Sequence, residues 1–207
     1  MHDLYFLEKE MRNKVSEKRA SHIMSVAEEL IYLSKAFGLS KKETNGMLAA
    51  AILHDITKEE DMSLQLEKVK AHGFIPSEDD VKSVYTFHAL SGYVLCRDIY
   101  KLEADFALAV LHHSTGGEKL TLFDKLLYVA DYIEEKRGYP DCMKMRDFVH
   151  KGMEENDNFN KRLEILDRAV YNIADNTVKF LTVRNMYVHP NTPLMRDYYK
   201  PDGKGWL

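Results

Sequence analysis

His54 and Asp55 stand side by side in the run AAAILHDITK, and Asp131 interrupts KLLYVADYIEEKR, so ionisable groups lie inside two strongly apolar stretches. An ionised carboxylate taken out of water is expensive unless a cation or strong hydrogen bonds offset it. A third apolar stretch, KRASHIMSVAEELIYL, carries His22. Together these placements predict groups that meet at a shared cation. Imidazole nitrogen and carboxylate oxygen suit a first-row transition ion such as iron, manganese, cobalt, nickel or zinc. Neighbouring residues on a helix point about 100° apart, so His54 and Asp55 reach one ion only if it sits beside their helix, near its end. Two histidines and two aspartates leave positions open for water and substrate, as a catalytic site requires. A single histidine or Asp55 has a plainer account: a packed histidine, a helix-capping Asp55, or an Asp55–Lys58 pair; an unpaired acid at Asp131, inside LLYVADYI, has none. The set is what carries the reading.

Other polar residues fall near these four. His88, in VYTFHALSGYVL, and His113, in LAVLHHSTGG, interrupt apolar runs between Asp55 and Asp131. They are candidates for a second ion or, if charged, for holding phosphate oxygens. His112 competes with His113 for the inward position. Lys58 is one helical turn from His54 and shares its mouth, although a solvated helix-end lysine explains it as well. Arg19 shares a face with His22, with a surface role preferred. Glu134 is a candidate to orient a water or ligand or to pair with Arg137. The loop Thr115-Gly116-Gly117 offers backbone amides to a phosphate, or is simply an interhelical turn. His2, His72 and His150 lie in polar surroundings and read as surface; His189, before Pro190, lies in a turn.

The elements that must position these groups are helices. Apolar residues recur at three- and four-residue steps over about 3–14, 16–37, 41–54, 62–71, 80–100, 104–113 and 119–135. A shorter helix follows Pro140, then a long one over about 157–183 whose pattern weakens near 174–177, predicting a kink. Ser40 with Glu43 fits a capping box, and Gly38 fits a helix C-terminus. No strand pairs, repeats or low-complexity blocks occur. The fold is predicted all-α, one helical domain over 1–192 with an irregular tail over 193–207 anchored by its aromatics.

Bulk properties exclude several classes. The chain has 207 residues, 45% hydrophobic and 30% charged, with net charge −4. No basic block marks a nucleic-acid partner. Cys96 and Cys142 form no paired motif. The N-terminus is too charged for a signal peptide and no apolar run is long enough to span a bilayer, so a cytoplasmic protein with no membrane partner is expected.

The order His…His-Asp…Asp resembles the HD-domain metal-dependent phosphohydrolases. With KRASHIMSVAEELIYLSKAFG, AAAILHDITK, FHALSGYVL, AVLHHSTGGEKLTLFDKLLYVADYIEEKR and VHPNT in that order, the chain over about 16–192 is similar to the YqeK-like members, the bacterial symmetrical diadenosine tetraphosphatases. The resemblance implies an HD-type helical bundle with the metal between helices. It implies metal ligation by His22, His54, Asp55 and Asp131, with iron expected and manganese or cobalt as alternatives, as one ion or as two with His88 and His113. It also implies ADP or substrate contacts from His22, His88, His113, Asp131, Arg137 and the segment Met186, Tyr187, Val188, His189, Pro190 and Asn191. Ser114, Thr57 and Glu135 depart from the family's usual residues without removing a ligand.

The expected reaction is hydrolysis of diadenosine tetraphosphate at its middle, giving two ADP, by a metal-activated water, with Asp55, Asp131 and Lys58 in catalytic roles. The partner is thus a small dinucleoside polyphosphate, and the aromatic tail is consistent with a homodimer. The alternatives are another HD phosphohydrolase acting on nucleoside monophosphates, cyclic nucleotides or guanosine alarmones, or a non-catalytic nucleotide or metal sensor.

Overall fold

Ser16, Ser40, Ser77 and Thr121 each accept a hydrogen bond from the backbone N–H three residues on, and so open four of the helices. Such caps satisfy donors that a helix start leaves orphaned. The computed structural model describes residues 1–201, and among these it contains eleven helices and no strand. They are α1 (Leu4–Arg12), α2 (Glu17–Ala36), α3 (Lys41–Leu53), α4 (Met62–Ala71), α5 (Glu78–Lys82), α6 (Phe87–Asp98), α7 (Ala104–His112), α8 (Leu122–Ile133), α9 (Pro140–Glu155), α10 (Phe159–Val183) and α11 (Asn191–Tyr198). The all-α expectation holds. No helix among the described residues is long and apolar enough to cross a membrane.

The core is built around α3. Met47, Ala49, Ala50, Ala51 and Leu53 are all buried, because α1, α2, α7 and α8 pack on it from several sides. Its alanines let those neighbours approach closely. Gly92 does the same for α6. A Cβ there would sit 3.3 Å from the His54 carbonyl oxygen, so glycine lets α6 run against the end of α3 and brings His88 to Asp55. The outer layer is α8 against α10, with α9 and α11 packed on α10.

Several expectations need correction. The stretch 80–100 is two helices, because the chain turns at 83–86, where Ser83 Oγ and Thr86 Oγ1 bond each other at 2.7 Å. The helix after Pro140 is the shorter of the two, as expected: α9 has 16 residues and α10 has 25. The pattern near 174–177 weakens without a break in α10. Asn176 and Thr177 face a cleft, not the core, and the Thr177 hydroxyl donates back to the Ile173 carbonyl at 2.8 Å. The tail is not irregular throughout. Residues 191–198 form α11, across the expected boundary at 192, because Met195 is fully buried and Thr192 Oγ1 donates to the Thr115 carbonyl at 3.0 Å. Gly116, at φ 69°, leaves the space that the Met195 side chain fills. The end of the predicted tail, 202–207, lies outside the described residues.

His150 was expected at the surface. It is only half-exposed, and its Nε2 donates to Glu29 Oε1 at 2.8 Å, tying α9 to α2.

Candidate metal centre

Each candidate ligand sits where its helix ends or passes the centre. His22 is in mid-α2, and His54 caps α3 with Asp55 directly after it. His88 lies in the first turn of α6, His113 caps α7, and Asp131 is in the last turn of α8. Because His54 and Asp55 stand at a helix end, not in its interior, both side chains reach the same centre. His22 Nε2 lies 3.0 Å from Asp131 Oδ1 and 3.7 Å from Asp55 Oδ2. His54 Nε2 lies 3.6 Å from Asp55 Oδ2 and 3.7 Å from Asp131 Oδ1. On the other side of Asp55, Oδ1 is 3.1 Å from His88 Nε2 and 3.5 Å from His113 Nε2.

The far side of three rings fixes which atom faces inward. His54 Nδ1 donates to the Ala51 carbonyl at 2.6 Å, His113 Nδ1 to the Val110 carbonyl at 2.6 Å, and His22 Nδ1 to Glu134 Oε1 at 3.1 Å. With the Nδ1 proton so committed, the Nε2 of a neutral ring presents a lone pair. Burial pushes the His54 pKa down to about 4 against the pull of Asp55, so this ring is neutral at pH 7. Its Nε2 lone pair therefore faces two carboxylate oxygens with no proton between them. His54 Nε2 and Asp55 Oδ1 are sealed from water and have no well-oriented hydrogen-bond partner. Acceptors turned on acceptors are repulsive unless a cation sits among them. Two sets of ligand atoms converge within 4.8 Å: His22, His54 and Asp131, and His54, Asp55 and His113. This donor set fits a divalent transition ion, and held ring orientations of this kind are the usual support for histidine ligands.

Charged neighbours complete the electrostatics. Burial opposes ionisation of Asp55, but Lys58 and the surrounding imidazoles outweigh it, holding its pKa well below the usual carboxylate range. Asp131 behaves alike, with Arg137 and His22 prevailing over burial. Burial also works against a charged His22, yet hydrogen bonds to Asp131 and Glu134 raise its pKa to about 9, so its Nε2 carries a proton toward Asp131, the place a bound cation would take. Burial and then Lys58 push His88 down to about 3.

Every sequence-predicted ligand is in this cluster. Of the histidine pair, His113 points inward and His112 bonds Asp124 at 3.0 Å. Lys58 Nζ lies 2.9 Å from His88 Nε2, and Arg137 Nη2 donates to Asp131 Oδ1 at 2.8 Å. Glu134 pairs with His22, not with Arg137. Arg19, expected at the surface, donates to Asp55 Oδ2 at 2.7 Å. Ser114 Oγ lies 3.1 Å from both His88 Nε2 and His113 Nε2. Its position directly after His113 was the available signal. Thr57 Oγ1 donates to the His88 carbonyl at 3.1 Å, fixing the start of α6.

The segment 186–191 leaves α10 and runs past α5. The Tyr187 hydroxyl bonds Asp79, and His189 Nε2 is 3.4 Å from Asp80 Oδ1. Over the centre opens a cleft of about 670 Å³, whose walls include Lys58, His113, Asp131 and Arg137 together with one face of α10.

A family model described as the HD domain matches residues 19–136, from Arg19 through the Asp131 segment. The symmetrical bis(5'-nucleosyl)-tetraphosphatase of Staphylococcus aureus is 28% identical over 91% of this chain and 90% of its own. That of Bacillus subtilis is 29% identical over 88% and 89%. A crystal structure from Clostridium acetobutylicum, described as a predicted HD superfamily hydrolase involved in NAD metabolism, superposes with a TM-score of 0.82 at 25% identity, covering 96% of this chain and 97% of that one.

Proposed function

This chain belongs to the HD-domain family, and we propose that it is a metal-dependent hydrolase that splits diadenosine tetraphosphate symmetrically into two ADP. The observation that carries this is the convergence of the His22, His54, Asp55 and Asp131 side-chain nitrogens and oxygens between two cations, Lys58 and Arg137. The names of relatives that align over about nine-tenths of the chain supply the substrate class.

We assign metal ligation to His22, His54, Asp55 and Asp131, with iron as the native metal and His88 and His113 as the additional ligands if two ions bind. A bound ion of this kind supplies Lewis acidity and neutralises phosphate charge. The protein's own groups do the rest. Arg137, with its planar fork, grips phosphate oxygens in two places. As a water oxygen adds to one of the two central phosphorus atoms, that atom's bond to the bridging oxygen breaks, and the bridging oxygen leaves on the other nucleoside diphosphate. Asp131, one-fifth exposed on the cleft side, is placed to take the proton that water loses. Lys58 balances charge on the departing diphosphate, which leaves as an anion and needs no proton near neutral pH. Glu134 holds the His22 ring through Nδ1, keeping its Nε2 aimed at the centre. The segment 186–191, directly after α10, is proposed to close on a nucleoside.

Chromatography of the products tests this. ADP as sole product is expected; ATP with AMP, or cleavage only of cyclic nucleotides or guanosine alarmones, overturns it. Metal analysis of anaerobically prepared protein, with His88→Ala and His113→Ala beside the parent, counts the ions. Halved metal content in both variants marks a second ion.

A further inference from the structure

The groups at the metal centre account for phosphates, but a dinucleoside substrate also brings two bases. The cleft, at about 670 Å³, is in the size range of small-molecule sites. Its walls include two tyrosines from different loops. Tyr85, between α5 and α6, is 72% exposed, and Tyr139, before α9, is 70% exposed. Neither ring adds to the core, and both leave ring surface open to the cleft.

Their placement relative to the charges is repeated. Tyr85 comes three residues before His88, whose Nε2 meets Lys58 Nζ at 2.9 Å beside Asp55. Tyr139 comes two residues after Arg137, which meets Asp131 at 2.8 Å. Of the cations on these carboxylates, Lys58, 3.8 Å from Asp55, and Arg137, 2.8 Å from Asp131, line the cleft with Tyr85 and Tyr139, while Arg19, also on Asp55, does not. A substrate cut at its middle carries the matching order twice: base, phosphates, scissile bond, phosphates, base.

Resting on the activity proposed above, we propose that Tyr85 and Tyr139 are the two base-stacking platforms, one for each nucleoside. Lys58 serves the phosphates of one arm and Arg137 those of the other. With both arms held, the central bond is the one presented to the metal centre. A ring face does not read base edges, so guanine and adenine are accepted alike.

The experiment uses the full metal-loaded chain and measures KM and kcat for diadenosine tetraphosphate and for adenosine tetraphosphate, which has one nucleoside. Tyr85→Ala and Tyr139→Ala are each expected to raise KM for the dinucleoside by roughly tenfold, the effect of losing one base–aromatic stack, with kcat nearly unchanged. Tyr→Phe at either position restores KM, since the ring and not the hydroxyl is used. With adenosine tetraphosphate, only one of the two alanine variants shows the defect. Unchanged KM in either alanine variant, or no rescue by phenylalanine, overturns the inference while leaving the activity standing. A parent chain that does not cleave diadenosine tetraphosphate at all overturns the activity and this inference together.

Discussion

At the scale of single residues, the centre is a set of acceptors held against one another. Asp55 is the most entangled, with one oxygen toward His88 and His113 and the other toward His22, His54 and Arg19. Asp55→Ala is therefore expected to lose bound metal and at least about 100-fold in turnover together. Metal analysis beside a rate assay checks this, and full metal content with unchanged rate would remove Asp55 from the ligand set. The cluster was legible in the sequence because ions inside apolar runs have a high energetic cost and demand an explanation. Arg19 and Ser114 were not. An arginine near a helix start and a serine before a glycine loop are ordinary surface residues by type. Only the approach of the α3 end to α2, and the meeting of α6 with α7, gives them partners. Tyr85 and Tyr139 were hidden for the same reason, since exposed loop tyrosines carry no periodic signal.

At the scale of elements, the question is what aims each helix at the centre. For α6 it is the Thr57 hydroxyl, fully buried, which bonds the His88 carbonyl at 3.1 Å and lies 2.7 Å from Ser91 Oγ. Thr57→Val keeps the shape and deletes those bonds, leaving Ser91 and a carbonyl with fewer partners. A loss of about 1–3 kcal/mol is expected in denaturant unfolding. If His88 does bind a second ion, the metal content falls with it. For α11 the anchor is Met195. Met195→Ala should cost about 2–5 kcal/mol, as large-to-small core changes do, and the cavity would open against Gly116. Wild-type stability in that variant would mean that α11 is a loose appendage. Helices with a single apolar stripe were readable from spacing. The separation of α5 from α6, α11, and the meaning of one face of α10 escaped. α11 is short and proline-containing, with Met195 its main core contact. The polar face of α10 lines a cleft, so its broken pattern, read as a kink, marked a cleft wall.

At the scale of the whole molecule, α2 is the shared strut: it carries His22 inward toward the centre and Glu29 toward α9. A metal that binds the folded chain stabilises it, so a chelator should lower the melting temperature, by an amount that grows with the logarithm of metal concentration over its dissociation constant. The Glu29–His150 contact gives a separate dependence on pH. Its bond to Glu29 raises the His150 pKa above 6.5, against burial and against Arg146, with Glu154 adding a smaller pull in the same direction as Glu29. Because the folded-state pKa is raised, the stabilisation is complete below the unfolded value near 6.5 and is lost as pH climbs through the folded value above it. The His150 side chain is one-third exposed, so solvent screens the pair and the contribution is about 1 kcal/mol, or a few degrees of melting temperature. Glu29→Gln should thus melt below the parent at about pH 6, with the gap closing toward about pH 9. A gap of equal size at both pH values would mean that the contact acts through packing alone, and that the charge on His150 does not tie α9 to α2.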